Sequence, residues 1–230
     1  MKIAIVKLSA LGDIIHSMVA LQFIKKYHPD YEIDWIVEER FKGLLINNPH
    51  LNAVHTVCLK EIKSWRLFLN EIRKIKNFGS YDVVIDAQGL IKSSIVSRLI
   101  KSKKRVGFDR RSIREPLATC LYTDKVYVDY SKNTIDRMVE LICFPFGIEV
   151  SSDEIINKSL FIYTSSRVKV PKKPYIVFVI GSTWENRNYP KEKFLKVVKS
   201  LETRCIVLWG NEQEKEKAFW MKRQSALIEV

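Results

Sequence analysis

Long apolar runs are absent from this 230-residue sequence. The stretch that follows Met1 is interrupted by Lys7, and no later one approaches the length of a membrane span. Cysteines are few and form no close pair, which argues against a zinc knuckle, a CxxC redox site and a disulfide framework. They are Cys58, Cys120, Cys143 and Cys205. These absences predict a cytoplasmic protein from a reducing compartment.

The common metal and nucleotide motifs are also missing. The sequence contains no DxD, no HExxH and only four isolated histidines, so we expect no metal site. It contains neither GxGxxG nor GxxxxGK[ST], so nothing supports a nicotinamide or P-loop protein. We therefore expect no cofactor.

Acidic residues are outnumbered, with 26 Asp+Glu against 39 Lys+Arg and a net charge of +13. The excess is concentrated in residues 60–76 and 101–114. Such a charge favours an anionic partner: a phosphorylated substrate, a membrane surface or nucleic acid. A basic α/β module without catalytic activity would need aromatic residues among its cations to bind nucleic acid, whereas Trp65 and Phe68 fall on an apolar helical stripe. We therefore expect no nucleic-acid partner.

Short β-rich runs alternate with helical periodicity, which predicts an α/β protein with a parallel sheet. The predicted strands are Lys2–Leu8, Tyr31–Val37, Val54–Leu59, Asp82–Asp86, Arg105–Phe108 and Lys125–Val128. The predicted helices are Ile14–Tyr27, Ile62–Ile75, Ile91–Lys101 and Thr134–Phe146. The content of 47% hydrophobic residues is enough for a substantial core.

The periodicity weakens after residue 150, which predicts a first domain over 1–150 and a linker over 151–174. We expect at most one short strand in this linker, at Ser159–Tyr163. The alternation resumes over 175–230, with three short strands and two helices. A unit of this size cannot cover both faces of its own sheet, so we expect the second domain to be incomplete in this chain.

The first candidate site follows the first strand, at the segment Ser9-Ala-Leu-Gly-Asp13. Loops at the carboxyl ends of parallel strands are where open α/β sheets bind ligands, and Gly12 permits close approach of a ligand. Asp13 is either a helix N-cap or a catalytic base. The positive end of a helix keeps such a carboxylate ionised but makes it a weak base. A weak base is sufficient where the hydroxyl proton leaves late in the reaction, so the two roles are compatible.

Two further strand ends carry polar residues. The strand that ends at Asp86 delivers Gln88 and Gly89 to the same rim as Asp13, although Asp86 itself is equally well explained as a hydrogen-bonded strand-end carboxylate. The other segment is Gly181-Ser-Thr-Trp-Glu-Asn-Arg-Asn-Tyr-Pro190. Its backbone amides, a hydroxyl group and Arg187 suit a diphosphate, unless it is an ordinary loop between strand and helix.

Several motifs together resemble a known family. KLSALGDIIHSMVAL, DWIVEERF, VIDAQGLIKS, REPLA and FVIGSTWENRNYP are similar, in order and spacing, to the bacterial lipopolysaccharide heptosyltransferases of glycosyltransferase family 9. SALGD with IDAQGLIKS is closer to the first heptosyltransferase type than to the second. The resemblance implies the GT-B fold, in which two Rossmann-like domains face a cleft. The N-terminal domain would bind the acceptor and the C-terminal domain the nucleotide sugar.

The resemblance also implies an activity. Family members of this type transfer L-glycero-D-manno-heptose from ADP-heptose to the Kdo sugar of Kdo₂-lipid A, in lipopolysaccharide inner-core biosynthesis. The reaction inverts the anomeric centre without a metal. It would take place at the cytoplasmic surface of the inner membrane, with the enzyme peripherally associated. Alternatives are a heptosyltransferase II-like acceptor, a related transferase that uses another nucleotide sugar, and the basic binding module described above.

Residue by residue, the family's catalytic aspartate corresponds to Asp13. Its donor contacts correspond to Ser182 and Thr183, to Arg187 in place of a lysine, and to Glu214 near the ribose. The implied acceptor-binding residues are Ser9, Gly12, Lys60, Lys63, Arg66, Gln88, Arg110, Arg111 and Arg114. The family's Asp-Thr-Gly-x-x-His nucleotide loop has no counterpart in the sequence, so we expect weaker donor binding by this chain.

Overall fold

The computed structural model describes residues 1–59, 64–164, 171, 173–182 and 185–230. The chain divides into two units, Met1–Ser166 and Arg167–Val230. Among the described residues, no helix combines the length and apolar character that crossing a bilayer requires.

The first unit is built on a six-stranded parallel sheet in the order β3-β2-β1-β4-β5-β6. Its strands are β1 Lys2–Val6, β2 Glu32–Glu38, β3 Ala53–Val57, β4 Ser80–Asp86, β5 Lys101–Phe108 and β6 Asp124–Val126. Its helices are α1 Leu11–Tyr27, α2 Trp65–Lys76, α3 Ile91–Leu99, α4 Thr134–Cys143 and α5 Ser152–Ile156. The central strands are buried on both faces, as their β-branched runs predict. All six predicted strands of this unit are confirmed, with shifted ends.

Each face of the sheet has its own apolar core. One core joins the sheet to α1 and α4, with Trp35 and Met18 fully buried. The other joins it to the last turns of α2 and α3, through Ile75, Val96 and Ile100. Strand order reverses between β1 and β4, and their following helices lie on opposite faces. A crevice therefore opens at the carboxyl ends of these two strands.

The prediction that Trp65 and Phe68 lie on the buried, apolar face of their helix is wrong. Trp65 is 69% exposed and Phe68 is 38% exposed, whereas Ile75, ten residues beyond Trp65, is buried. The helix α2 packs on the sheet through its last turns, so the apolar side chains of its first turn project past the core.

The linker prediction also needs correction over its first half. Ser151 caps the short helix α5, which buries Ile155 in the core of the first unit. Lys26 forms an ion pair with Glu154 at 2.9 Å, so α5 is attached to α1. The predicted strand at Ser159–Tyr163 is absent. The Ser159 N–H donates to Gln22 Oε1 at 2.9 Å, so this backbone group bonds to a side chain of α1 and not to a strand.

The second unit contains a three-stranded parallel sheet in the order β7-β8-β9. Its elements are β7 Tyr175–Val179, α6 Lys191–Leu201, β8 Arg204–Leu208, α7 Glu212–Gln224 and β9 Ile228–Glu229. The core lies between the sheet and its helices, with Val198, Cys205 and Met221 fully buried. Val179 and Leu208, the last residues of β7 and β8, are 68% and 49% exposed. The order of the elements confirms the predicted alternation of strands and helices in this unit.

Candidate functional site

The side chain of Gln88 joins the loops after β1 and β4. Gln88 Oε1 accepts hydrogen bonds from the backbone N–H groups of Leu8 and Ser9, both at 3.1 Å. The Ala87 N–H also donates to the Val6 carbonyl at 3.0 Å, which continues the sheet ladder into the loops. Gln88 was predicted to bind the acceptor. In the structure, its side-chain oxygen instead accepts hydrogen bonds from the loop after β1.

Asp86, at the end of β4, anchors the loop that follows this strand. This carboxylate is fully buried and accepts hydrogen bonds from Ser93 Oγ at 2.9 Å and Tyr122 OH at 2.8 Å. It also accepts from the backbone N–H groups of Gln88 and Gly89, at 2.9 and 3.1 Å. Burial raises the pKa of Asp86, and the four hydrogen bonds oppose that rise. Of the two interpretations of Asp86, the geometry favours the hydrogen-bonded strand-end carboxylate.

Gly89 is required by this turn. Its φ of +70° lies in the left-handed region, and an added Cβ would lie 3.1 Å from Ile113 Cγ1. Gly12, by contrast, has no heavy atom within 4 Å of an added Cβ. The fold therefore leaves open space at Gly12 and does not itself require glycine there.

Asp13 lies at the third position of α1, three residues after the N-cap Ala10, so the N-cap interpretation is wrong. Ala10 has no side-chain acceptor, and the Asp13 carboxylate instead accepts the Ala10 N–H at 3.3 Å. The side chain is half-buried. The Ala10 N–H is the one donor to this carboxylate among the described residues, so it retains the acceptor capacity that a general base requires.

Lys7, which the sequence analysis treated only as a break in an apolar run, is 4% exposed beside these loops. Its Nζ donates to the Ala87 carbonyl at 2.9 Å. Burial lowers the pKa of Lys7, and the carboxylates of Asp13 and Asp86 oppose part of that shift. The sequence does carry a signal for Lys7: a lysine near the end of an otherwise apolar predicted strand, just before a candidate loop, is a candidate functional residue.

A cavity of about 210 Å³ opens on Asp13 and Gln88. Its wall includes Arg114 and Arg137, the second of which the sequence analysis also missed. The Arg137 guanidinium stacks on Tyr130, with Cζ 4.2 Å from the ring centroid, and Nη2 donates to the Ser112 carbonyl at 2.7 Å. Its buried Nε has no hydrogen-bond partner among the described residues. The cavity therefore combines one carboxylate, Asp13, with three cations, since Lys7 also lines it.

The other predicted acceptor residues are distributed more widely. Arg111 pairs with Asp109 at 3.3 Å and stacks on Tyr127, so its charge is already partnered. Arg110 and Arg66 are exposed, Arg66 on the first turn of α2. Lys60 and Lys63 lie outside the described residues. Of the described basic residues predicted to bind acceptor, Arg114 is the one that lines the Asp13 cavity.

In the second unit, Glu214 occupies the third position of α7 and approaches Gly181 in the loop after β7. Its carboxylate accepts from the Gly210 N–H at 2.7 Å and Asn211 Nδ2 at 2.6 Å, while the Glu214 N–H donates to Asn211 Oδ1 at 2.9 Å. An added Cβ on Gly181 would lie 2.3 Å from this carboxyl group. Only glycine at position 181 therefore permits this approach, and Ser182 follows Gly181 in the chain.

Arg187 is exposed and ends the short 3₁₀ helix Glu185–Arg187, in the same loop as Ser182. Thr183 lies outside the described residues. The predicted donor residues Ser182 and Arg187 thus lie in the loop after β7, and Glu214 lies in the first turn of the helix that follows β8, the adjacent strand.

Comparison with known proteins gives consistent results. The model of glycosyltransferase family 9 (heptosyltransferase) matches residues 71–227. The lipopolysaccharide heptosyltransferase 1 of Campylobacter coli is 39% identical over 95% of this chain and 67% of its own length. That of Pseudomonas aeruginosa is 29% identical over 95% of this chain and 63% of its own length. This chain therefore spans about two thirds of the length of these relatives.

A solved structure described as E. coli heptosyltransferase WaaC with ADP covers the whole chain, with a TM-score of 0.85 and 26% identity. The chain covers 74% of that protein. A second structure, of the same enzyme with ADP-2-deoxy-2-fluoro heptose, matches with a TM-score of 0.84 and 26% identity. The predicted GT-B class and the predicted resemblance are confirmed, and the chain belongs to glycosyltransferase family 9, the heptosyltransferase family.

Proposed function

We propose that this protein transfers L-glycero-D-manno-heptose from ADP-heptose to the Kdo sugar of Kdo₂-lipid A, in a metal-independent, inverting reaction. The observation that carries the proposal is the half-buried Asp13 at the crevice between β1 and β4, in a cavity whose other charged side chains are cationic. Kdo carries a carboxylate, and lipid A carries phosphates. Lys7, Arg114 and Arg137 complement such an acceptor electrostatically.

Asp13 acts in this proposal as the general base. The acceptor hydroxyl gives its proton to the carboxylate while its oxygen bonds to the anomeric carbon of heptose. The bond from that carbon to the diphosphate oxygen breaks on the opposite face, so ADP leaves as an anion and the configuration inverts. The Asp13 carboxylate in turn favours the charged form of the buried Lys7, which lines the same cavity.

The donor would be held by the second unit. Arg187 offers the planar guanidinium that pairs with phosphate oxygens and stabilises the charge that develops on ADP. Ser182, and Thr183 as the resemblance implies, supply hydroxyl groups to the same diphosphate. The Glu214 carboxylate is oriented by its contacts with Gly210 and Asn211 and can accept from a ribose hydroxyl.

A lipid-linked acceptor also implies a location. We propose that the protein works at the cytoplasmic surface of the inner membrane, as a peripheral protein. Its net charge of +13 supports attraction to an anionic leaflet.

The proposal is tested by a panel of donors and acceptors. The chain is incubated with ADP-heptose and Kdo₂-lipid A, and ADP release and the mass gain of one heptose on the acceptor are measured, with and without EDTA. We expect both products in each case. Turnover only with a UDP- or GDP-linked sugar, or only with an acceptor that already carries heptose, would favour one of the alternatives. Loss of turnover with EDTA and its return with Mg²⁺ would contradict the metal-independent mechanism.

A further inference from the structure

One helical layer of the first unit exposes several large apolar side chains. This layer consists of α2, α3 and the 3₁₀ helix Pro116–Leu121, and α3 packs against both of the others. The six exposed side chains, called here the apolar rim, are Trp65, Leu67, Phe68, Ile91, Ile95 and Leu117. The rings of Trp65 and Phe68 pack against each other, with centroids 5.3 Å apart. Leu117 is 73% exposed.

The apolar rim lies at the same edge of the sheet as the Asp13 cavity. The helices α2 and α3 each follow a parallel strand, so their first turns are at the carboxyl edge. Those first turns carry Trp65, Leu67, Phe68 and Ile91, and Ile95 lies one turn further along α3. The Glu115 carboxylate accepts the Ile91 N–H at 2.7 Å, which holds the 3₁₀ helix against the start of α3. The last turns of both helices enter the core instead.

The helices that carry the apolar rim also carry an excess of cations, two of which, Arg66 and Lys92, lie in the first turns. The described residues of α2 and α3 include six cations and one carboxylate, Glu71. The cations are Arg66, Arg73, Lys74, Lys76, Lys92 and Arg98. On the other face of the sheet, α1 and α4 carry three cations and three carboxylates. The positive bias therefore belongs to the layer that exposes apolar side chains.

We propose that the apolar rim and its cations seat the protein on an anionic lipid surface. Aromatic and aliphatic side chains enter the headgroup region of a bilayer, while the long stems of Lys and Arg let their charges reach lipid phosphates. Seated in this way, the carboxyl edge of the sheet meets the plane from which a lipid-anchored sugar projects. The orientation rests on the proposed function, because it assumes such an acceptor.

Vesicle flotation tests the surface without requiring turnover. The chain is mixed with vesicles of phosphatidylglycerol and phosphatidylcholine, and the bound fraction is measured for three variants. For the double variant Trp65→Ser/Phe68→Ser we expect the partition coefficient to fall at least about tenfold, because two large apolar side chains no longer leave water. Leu117→Ser should have a smaller effect in the same direction. Ile156→Ser is the matched control, because Ile156 is 72% exposed on α5, on the other face of the sheet.

Flotation of the double variant at the wild-type level would overturn the proposal, as would an equal loss in Ile156→Ser. Cooperative urea unfolding of each variant shows that it is folded. Sedimentation velocity adds another outcome: a dimer that the double variant abolishes would assign the apolar rim to a second copy of the chain. Tight, salt-sensitive binding of a single-stranded oligonucleotide, without vesicle binding, would assign it to nucleic acid.

Two acceptor preparations separate this inference from the proposed function. With a deacylated, water-soluble acceptor, the double variant should turn over like wild type, whereas with acceptor embedded in vesicles it should be at least about tenfold slower. Equal losses with both acceptors would overturn the lipid-binding role. If wild type turned over neither acceptor and the flotation difference persisted, the proposed reaction would be wrong, and the proposal that the apolar rim binds lipid would be supported.

Discussion

The loops after β1 and β4 lie side by side at one edge of the sheet, yet their carboxylates are held in opposite ways. Asp86 is fully buried and accepts four hydrogen bonds, so its capacity to accept is used within the protein. Asp13 is half-buried and accepts one long hydrogen bond, from Ala10. The difference indicates that Asp86 is a structural anchor, whereas Asp13 is available for a substrate.

Gln88 and Lys7 connect the two loops. Gln88 belongs to the anchored β4 loop, and its side chain holds the backbone of the β1 loop. Lys7 precedes the β1 loop and donates to a carbonyl of the β4 loop. The anchored β4 loop therefore positions the β1 loop, which carries Asp13. Substitutions in either loop can test this division of roles.

Removal of the anchor should have the largest effect. Asp86→Ala leaves buried donors without an acceptor, so we expect the free energy of unfolding to fall by about 3 kcal/mol or more. Urea denaturation measures this change. Asp82→Ala, on the same strand but with a half-buried carboxylate, should lose much less. Equal losses for the two variants would show that the buried network does not anchor the loop.

Removal of the proposed base should abolish most activity without a comparable loss of stability. Asp13→Asn should lower kcat at least about a hundredfold, because general-base catalysis contributes in that range, equivalent to about 2.7 kcal/mol of barrier. Its amide oxygen can still accept the Ala10 N–H, so the free energy of unfolding should change by less than about 0.5 kcal/mol.

Asp136→Asn provides the control for Asp13. Asp136 occupies the third position of α4, as Asp13 does in α1, but does not line the Asp13 cavity. Wild-type turnover in Asp13→Asn, or an equal loss in Asp136→Asn, would reduce Asp13 to a helix-end residue.

Loosening the link between the loops should have an intermediate effect. Gln88→Met removes the acceptor for the Leu8 and Ser9 N–H groups, so we expect about 1 to 2 kcal/mol of lost stability. We also expect kcat to fall about tenfold, because the Asp13 loop is less well positioned. Gln88→Glu keeps an oxygen in place and should recover most of both losses. If Gln88→Met instead raises only the acceptor KM, Gln88 binds the acceptor directly, as the sequence analysis predicted.

The buried ammonium should produce the smallest effect, visible only at alkaline pH. The folded-state pKa of Lys7 lies below its ordinary value of 10.5, so in the interval between them the unfolded chain binds more protons. Stability contributed by Lys7 therefore rises with pH across that interval, at up to about 1.4 kcal/mol per pH unit. The difference in unfolding free energy between wild type and Lys7→Met should increase accordingly from pH 7 towards pH 10. A flat difference would contradict the lowered pKa.

Local pattern alone was enough to predict the sheet and two of its functional loops. Strand alternation and helical periodicity depend on neighbours along the chain, so they identified the parallel α/β class and the carboxyl ends at which Asp13 and Gln88 lie. Glycine at position 89 could be read in the same way, because a tight turn after a strand demands it.

Other features were decided only by the packing of distant elements. Arg137 is more than a hundred residues from Asp13 along the chain, yet both line one cavity. The exposure of Trp65 depends on how far α2 extends beyond the core, and no periodicity within the helix reports that. Lys7 is buried only because β1 lies between two other strands under helices on both faces. Patterns of neighbouring residues are enough to predict the elements and the edge of the sheet at which the candidate site lies. The burial and acceptor capacity of the candidate residues depend on the tertiary structure, because those properties arise from neighbours that are remote in sequence.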